Sequence, residues 1–343
     1  MKFSLIICTY MRPGSILRLL NSVKSQDVYP NEILVIDGSI DNNTENLLKA
    51  RKILNLKYYK VENEQRGLTK QRNIGVELVN KQNEIICFLD DDIVLKPNYF
   101  KQIISTFNQF PDAIGVGGAI INEAVWKELD ENKSKDFKYY YRDGYYRDLG
   151  ARNVLRKIFG LLSCKPPGIM PKYSNGFSIG FYPPNGKTHQ VEYFMGGVSG
   201  YKRSLFEKIS FSEYFDGYGL YEDMEFCLRA SRIGKLLLNT GAQCFHLHDK
   251  AGRPDYFKYG KMVVENGWIV WKLKYPNPDI KSILKWNAIV ILLSLIRIKN
   301  GIINREKGAL RDAFGRFFAW IKLPFKKPDY FYQKRKSEVT LPS

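Results

Sequence analysis

The chain has 343 residues, 44% hydrophobic and 26% charged, enough apolar material for one large domain or two moderate ones, which excludes a disordered chain. Its five cysteines (Cys8, Cys87, Cys164, Cys227 and Cys244) form no CxxC pair, which argues against a disulfide scaffold and for a reducing compartment. The formal charge of +18 is uneven: residues 250–343 hold 20 Lys and Arg against 7 Asp and Glu, residues 126–190 hold 12 against 6, and the remainder nets −1. Positive charge kept away from a near-neutral segment points to an anionic surface or polymer met separately from any chemistry.

The apolar run at Met1–Leu5 is too short for a signal peptide. Ser4–Cys8 reads as a strand, Thr9–Gly14 as a turn, and Leu17, Leu19, Leu20 and Val23 as one helix. Glu32–Ile36 is a second strand with Asp37-Gly38-Ser39 at its end, and Asp41 or Asn42 is placed to cap a helix through Leu47 and Leu48. Leu56–Val61 is a third strand, and Gly67 opens a helix carrying Arg72, Asn73, Val76 and Val79. Ile85–Leu89 is then an apolar run leading straight into Asp90-Asp91-Asp92. Four strands alternating with three helices predict a parallel α/β sheet, whose carboxyl edge is where such sheets hold ligands. Three adjacent carboxylates repel one another; a hard divalent cation with oxygen ligands is the usual compensation, and such a cation commonly holds a phosphate as well.

Residues 126–190 break the rhythm with Tyr139-Tyr140-Tyr141, Tyr145-Tyr146 and the basic amphipathic stretch Val154–Leu162, read either as an ordinary surface helix or as a membrane-surface or acceptor-binding one. Gly196 and Gly197 allow either a tight turn or close backbone approach to a ligand. Glu222-Asp223 stands where a helix begins, so it is either a helix start placed for the dipole or a source of a general base. Leu236–Leu238 leads to Ala242–Asp249; in a strand His246 and His248 share one face, a spacing that can supply a metal ligand. Towards the end, Ile280–Ile298 falls short of a membrane span. Ala309–Leu323 places Leu310, Ala313, Phe314, Phe317, Phe318 and Ile321 at helical spacing among basic residues, and Lys334-Arg335-Lys336 closes the basic region.

Taken together these motifs resemble family 2 glycosyltransferases with the GT-A fold, over roughly residues 3–250. The resemblance implies a mostly parallel α/β sheet flanked by helices in a catalytic domain over 1–249, with 126–190 as an insertion on the acceptor side. Residues 250–343, outside the shared core, are expected to form a basic, amphipathic helical extension. It also implies transfer of a sugar, with inversion, from a nucleotide-diphosphate sugar to an acceptor hydroxyl on a glycan or lipid-linked precursor, aided by Mn²⁺ or Mg²⁺. By that match Thr9, Tyr10, Arg12, Asp37, Arg72, Asn73, Asp90 and Asp91 line the nucleotide-sugar side. Gly196 and Gly197 face the acceptor and sugar, Asp92 with His246 or His248 holds the metal, and Asp223, or alternatively Glu222, is the base. The absence of a QxxRW sequence disfavours a processive synthase. Two other classes compete: a nucleic-acid-binding protein, which calls for positive charge through the α/β core, and a nucleotidyltransferase, which calls for a basic glycine-rich loop after the first strand. The core nets −1 and that turn has one Arg and one Gly, so no nucleic-acid partner is expected. The basic extension predicts a peripheral protein on the anionic, cytoplasmic face of a membrane.

Overall fold

The computed structural model describes residues 1–130, 135–215, 217–248, 255–326 and 328–330. The chain begins β1 (Phe3–Thr9), α1 (Pro13–Lys24), β2 (Glu32–Asp37), α2 (Asn43–Lys49), β3 (Leu56–Lys60), α3 (Leu68–Leu78) and β4 (Ile85–Asp90), the expected alternation. It continues with β5 (Ile93–Leu95), α4 (Tyr99–Gln109), β6 (Ala113–Ile120), β7 (Lys127–Glu128), β8 (Tyr139–Arg142), β9 (Tyr145–Asp148) and α5 (Ala151–Ile158). The remaining elements are β10 (Thr188–Val191), β11 (Val198–Lys202), α6 (Glu222–Ala230), β12 (Lys235–His246), α7 (Tyr256–Lys274), α8 (Ile280–Ile302) and α9 (Ala309–Lys322).

These elements fall into two compact units, Met1–Leu149 with Lys165–Ile169 and Gly176–Arg253, and Gly150–Cys164 with Met170–Asn175 and Pro254–Ser343. The stretch 126–190 therefore divides between them, β7, β8 and β9 going to the first and α5 to the second.

The first unit is built on a nine-stranded sheet in the order β10-β12-β6-β11-β4-β1-β2-β3, with β5 added to β12. β1 is parallel to β2 and to β4, with Leu5 opposite both Ile33 and Cys87. All of β2 and nearly all of β1 and β4 is buried. That is why their sequences are continuous apolar runs and not alternating ones. Helices α1 and α4 cover one face, where Ile16, Leu19, Val23, Phe100, Ile103 and Phe107 join the core. Six strands share one direction; β11 runs antiparallel between β4 and β6, and β5 and β10 run antiparallel to β12. The carboxyl ends of β1, β2 and β4 thus lie side by side.

One local expectation is corrected. Leu236–Leu238 and Ala242–His246 are a single strand, β12, interrupted by a bulge between Leu238 and Gln243. The strand stops at His246, and His248 has a left-handed backbone with φ +53°. Strand alternation is therefore not what relates the two histidines.

The second unit is helical. Asp255 and Asp279 cap α7 and α8, accepting hydrogen bonds from first-turn amides. α7 packs on α9 so closely that a Cβ at Gly315 would sit 2.1 Å from the Phe257 carbonyl oxygen. Asp312 of α9 is buried and paired with Arg297 and Arg316. α5 buries two polar residues: Asn153 and Arg156 face inward, Arg156 donating to Ser174 Oγ at 3.1 Å, while Val154 and Leu155 are half-buried and Ile158 and Phe159 are exposed. Among the described residues no helix is long and apolar enough to cross a membrane. Lys334-Arg335-Lys336 lies outside the described residues.

Candidate functional site

The turn after β1 and the three aspartates after β4 form the first part of the site. Cys8 is paired with Asp90 and Thr9 with Asp37 in the sheet. Thr9 Oγ1 donates to Asp91 Oδ2 at 2.7 Å, and Arg12 Nη1 donates to Asp91 Oδ1 at 2.9 Å while lying 3.8 Å from Asp92 Oδ2. Burial pushes Asp91 up to about 6, against the pull of Arg12 and Thr9. Asp91 is thus turned into the protein, and the Thr9 hydroxyl, expected beside the nucleotide, is engaged in holding it. Asp37, expected on the nucleotide-sugar side, is completely buried; its oxygens accept from Ser39 N–H at 2.7 Å and Tyr58 O–H at 2.8 Å. Ser39 Oγ in turn accepts from Met11 N–H at 2.8 Å. In this arrangement Asp37 shapes the turn and offers no surface to a ligand. Tyr10 stands on the turn after β1, 41% exposed.

The second part centres on Arg72. Expected on the nucleotide-sugar side, it is buried, with 2% of its surface exposed. Its Nη1 lies 2.6 Å from Glu222 Oε1 and its Nη2 3.3 Å from Asp90 Oδ1. The guanidinium also lies over the Phe211 and Phe88 rings at 5.3 and 5.8 Å. Asn73, expected at the nucleotide, exchanges two 2.9 Å hydrogen bonds with the Phe211 backbone and so fixes that ring beneath Arg72. Burial opposes the charge on Arg72, but Glu222 and Asp90 outweigh it and raise its pKa. Burial likewise pushes Glu222 up to about 8, even with Arg72 beside it. Deleting one member of such a buried pair typically costs about 3–5 kcal/mol.

Asp223 differs from its neighbour. Glu222 is buried, whereas Asp223 keeps part of its surface open at the start of α6. Its Oδ1 accepts from Met224 N–H at 2.7 Å, and burial raises its pKa, partly offset by backbone hydrogen bonds. Gly196 and Gly197 bring β11 against these groups. A Cβ at Gly196 would lie 2.8 Å from Arg72 Nη1, and one at Gly197 only 2.0 Å from Asp90 Oδ2. The close approach expected of these glycines is made to the site's own side chains. Gly197→Ala should therefore displace the Asp90 carboxylate and cost about 1–3 kcal/mol, as overpacking does. An unchanged midpoint in urea unfolding would show that Asp90 has room to move aside.

The third part is the end of β12. The Asn122 side chain exchanges hydrogen bonds with the His246 backbone, at 2.8 and 2.9 Å, prolonging the β6–β12 pairing and setting Glu123 beside the His246 ring. His246 Nε2 lies 3.2 Å from Asp92 Oδ1, and Nδ1 lies 3.0 Å from Glu123 Oε1. The bond to Asp92 first, then that to Glu123, raises His246 to about 10. His248 Nε2 is 3.2 Å from the same Glu123 oxygen, and the two imidazole rings are 3.9 Å apart. Glu123 was not singled out in the sequence; only the pairing of β6 with β12 places it here. The mutual repulsion of Asp90, Asp91 and Asp92 is met within the chain by Arg72, Arg12 and His246 respectively. A divalent cation still fits the donors. Asp92 supplies a hard carboxylate and His246 an imidazole, while Glu123, His246 and His248 present ligand atoms within 4.8 Å of one another.

A family model, Glycosyl transferase family 2, matches residues 4–210, more than half of the chain. The chain belongs to this family. Among curated relatives of this family 2 chain, the glucosyl-dolichyl phosphate glucuronosyltransferase of Haloferax volcanii is 27% identical over 130 residues, 36% of this chain and 40% of the relative. The poly(ribitol-phosphate) beta-N-acetylglucosaminyltransferase TarS of Staphylococcus aureus is 29% identical over 137 residues, 37% of this chain and 24% of the relative. The matched stretch therefore spans less than half the length of either. The crystal structure of S. aureus TarS 1–349 superposes with a TM-score of 0.51 at 17% identity, over 94% of this chain and 78% of that one. The mannosyltransferase PcManGT from Pyrobaculum calidifontis, solved with GDP-Man and Mn²⁺, superposes with a TM-score of 0.51 at 15% identity, over 98% and 79%. These likenesses show the GT-A fold of the family 2 chain.

Proposed function

We propose that this chain transfers a sugar from a nucleotide-diphosphate sugar to an acceptor hydroxyl, by a single inverting displacement, with Asp223 as general base. One observation carries the reading: at the carboxyl edge of one sheet, Arg72 ties Asp90 of the aspartate cluster to Glu222, the residue next to the partly open Asp223. Asp92 and His246 would hold a divalent cation, Mn²⁺ or Mg²⁺, which when bound stabilises the diphosphate as leaving group. The neighbour solved with GDP-Man and Mn²⁺ supports that pairing of ligand and metal. The chain's own residues do the rest. Arg12 and Thr9 hold Asp91 inward, Arg72 fixes Asp90 and Glu222, and Asp223, partly open and with a raised pKa, takes the proton from the acceptor. A thermal-shift screen of UDP, GDP, ADP and CDP, each with Mn²⁺ or Mg²⁺, tests the donor side. One diphosphate should stabilise the protein only when the metal is present, and no shift with any of them would refute the reading.

We also propose that the acceptor is a glycan or lipid-linked precursor met at an anionic membrane surface, from the cytoplasmic side. The relative that acts on a dolichyl phosphate supports a lipid-linked acceptor. The outer face of α9 supports the membrane: Leu310, Phe314, Phe318 and Ile321 are 38%, 65%, 41% and 58% exposed, and Phe325 just beyond is 88% exposed. Arg311, Lys322 and Lys326 flank that stripe, and Lys322 Nζ lies 4.5 Å from the Phe318 ring centroid. Aromatic and aliphatic side chains would enter the headgroup region while each nearby Lys or Arg adds about 1 kcal/mol of attraction. In liposome sedimentation the protein should bind vesicles containing anionic lipid, release in salt, and lose binding on combined Phe314→Asp and Phe318→Asp substitution. Equal binding to neutral vesicles, or none to either, would overturn it.

A further inference from the structure

The end of β12 holds a feature that metal ligation alone does not require. Both ring nitrogens of His246 are taken, Nε2 by Asp92 at 3.2 Å and Nδ1 by Glu123 at 3.0 Å. Glu123 is in turn held by His248 Nε2 at 3.2 Å, and the Asn122 side chain fixes the backbone of His246 from the same loop. A histidine that ligates a metal through one nitrogen commonly donates its other N–H to a carboxylate, which fixes the tautomer and the ring plane. Here that carboxylate comes from a different strand end, and a second imidazole steadies it.

We propose that Glu123 is the positioning residue of His246. It accepts Nδ1–H, so Nε2, whose proton faces Asp92 at 3.2 Å, is the nitrogen that would exchange that proton for a divalent cation, and His248 braces Glu123 and does not itself ligate. The inference rests on the reading above that Asp92 and His246 hold the cation. It adds a residue outside the aspartate cluster and the histidine, and it assigns the two histidines different tasks. If Glu123 acts through His246, removing it has a consequence only while His246 is present.

The test is a double-mutant cycle on Mn²⁺ affinity. Binding would be read from the electron paramagnetic resonance of unbound Mn²⁺ with the full chain, first with Mn²⁺ alone and then with UDP or GDP added. E123A should weaken binding about 10–100-fold, the range for loss of such an outer partner. E123Q, whose amide oxygen still accepts Nδ1–H, should recover part of that loss, and H248A should cost less than E123A. E123A combined with H246A should bind no more weakly than H246A alone. Because Glu123 is exposed, the metal-free melting curves should stay close to wild type. Wild-type-like affinity in E123A would overturn the proposal, as would E123Q no better than E123A. Additive losses in the double variant would also overturn it, making Glu123 a direct ligand. Those results leave the cation reading standing. A wild-type chain with no saturable Mn²⁺ binding under either condition removes both.

Discussion

Asp92→Asn is expected to lower sugar transfer on the order of 10³-fold, which corresponds to about 4 kcal/mol of lost leaving-group stabilisation. The substitution is nearly isosteric, and Asp92 is buried beside Arg12 and His246. An amide oxygen can still accept from the His246 ring, so the β5–β12 junction, where Leu247 N–H donates to the Asp92 carbonyl at 3.0 Å, should stay intact. What the amide lacks is the negative charge a hard cation needs. The comparison to make is steady-state transfer across a metal titration. Near-wild-type turnover at saturating metal would mean that Asp92 is not the ligand, and the Asp91 carboxylate, held inward by Thr9 and Arg12, would not be a ready substitute.

Asp223→Asn is expected to slow transfer by about 10²–10⁴-fold, the usual range for a lost general base, while donor binding survives. Its neighbour provides the control. Glu222→Gln removes the charge paired with buried Arg72, so its main effect should be on stability, with activity following the folded fraction. The pH profile separates the two further. The base must be deprotonated to act, and burial raises the Asp223 pKa. Wild-type kcat/KM should therefore fall as pH drops, through a limb lying above the ordinary aspartate range, and Asp223→Asn should lack that limb. An active Asp223→Asn beside an inactive but stable Glu222→Gln would exchange the two roles.

The amino-acid sequence by itself determined the α/β core and the place of its carboxylates. The strands β1, β2 and β4 are buried on both faces, so each is an uninterrupted apolar run, and the polar residues that end the runs at Thr9, Asp37 and Asp90 mark the sheet edge without ambiguity. Position along a strand is a local property, and local patterning records it. What each side chain touches is not local. Arg72 and Glu222 are 150 positions apart and Glu123 and His246 are 123 apart, and nothing in the spacing of either pair indicates contact. Only the packing of α3 against β1, and the pairing of β6 with β12, decided that Arg72 is a buried tie between two carboxylates, that Asp37 and Asn73 hold the backbone around the site, and that a glutamate outside every motif meets both histidines. The same holds for α5, where the apolar pattern would bury Ile158 and Phe159. Burying Asn153 and Arg156 is tolerated because Ser174, eighteen residues further along, supplies a partner for the guanidinium, so the apolar pair is left facing outward, a choice made by tertiary hydrogen bonding and invisible to periodicity.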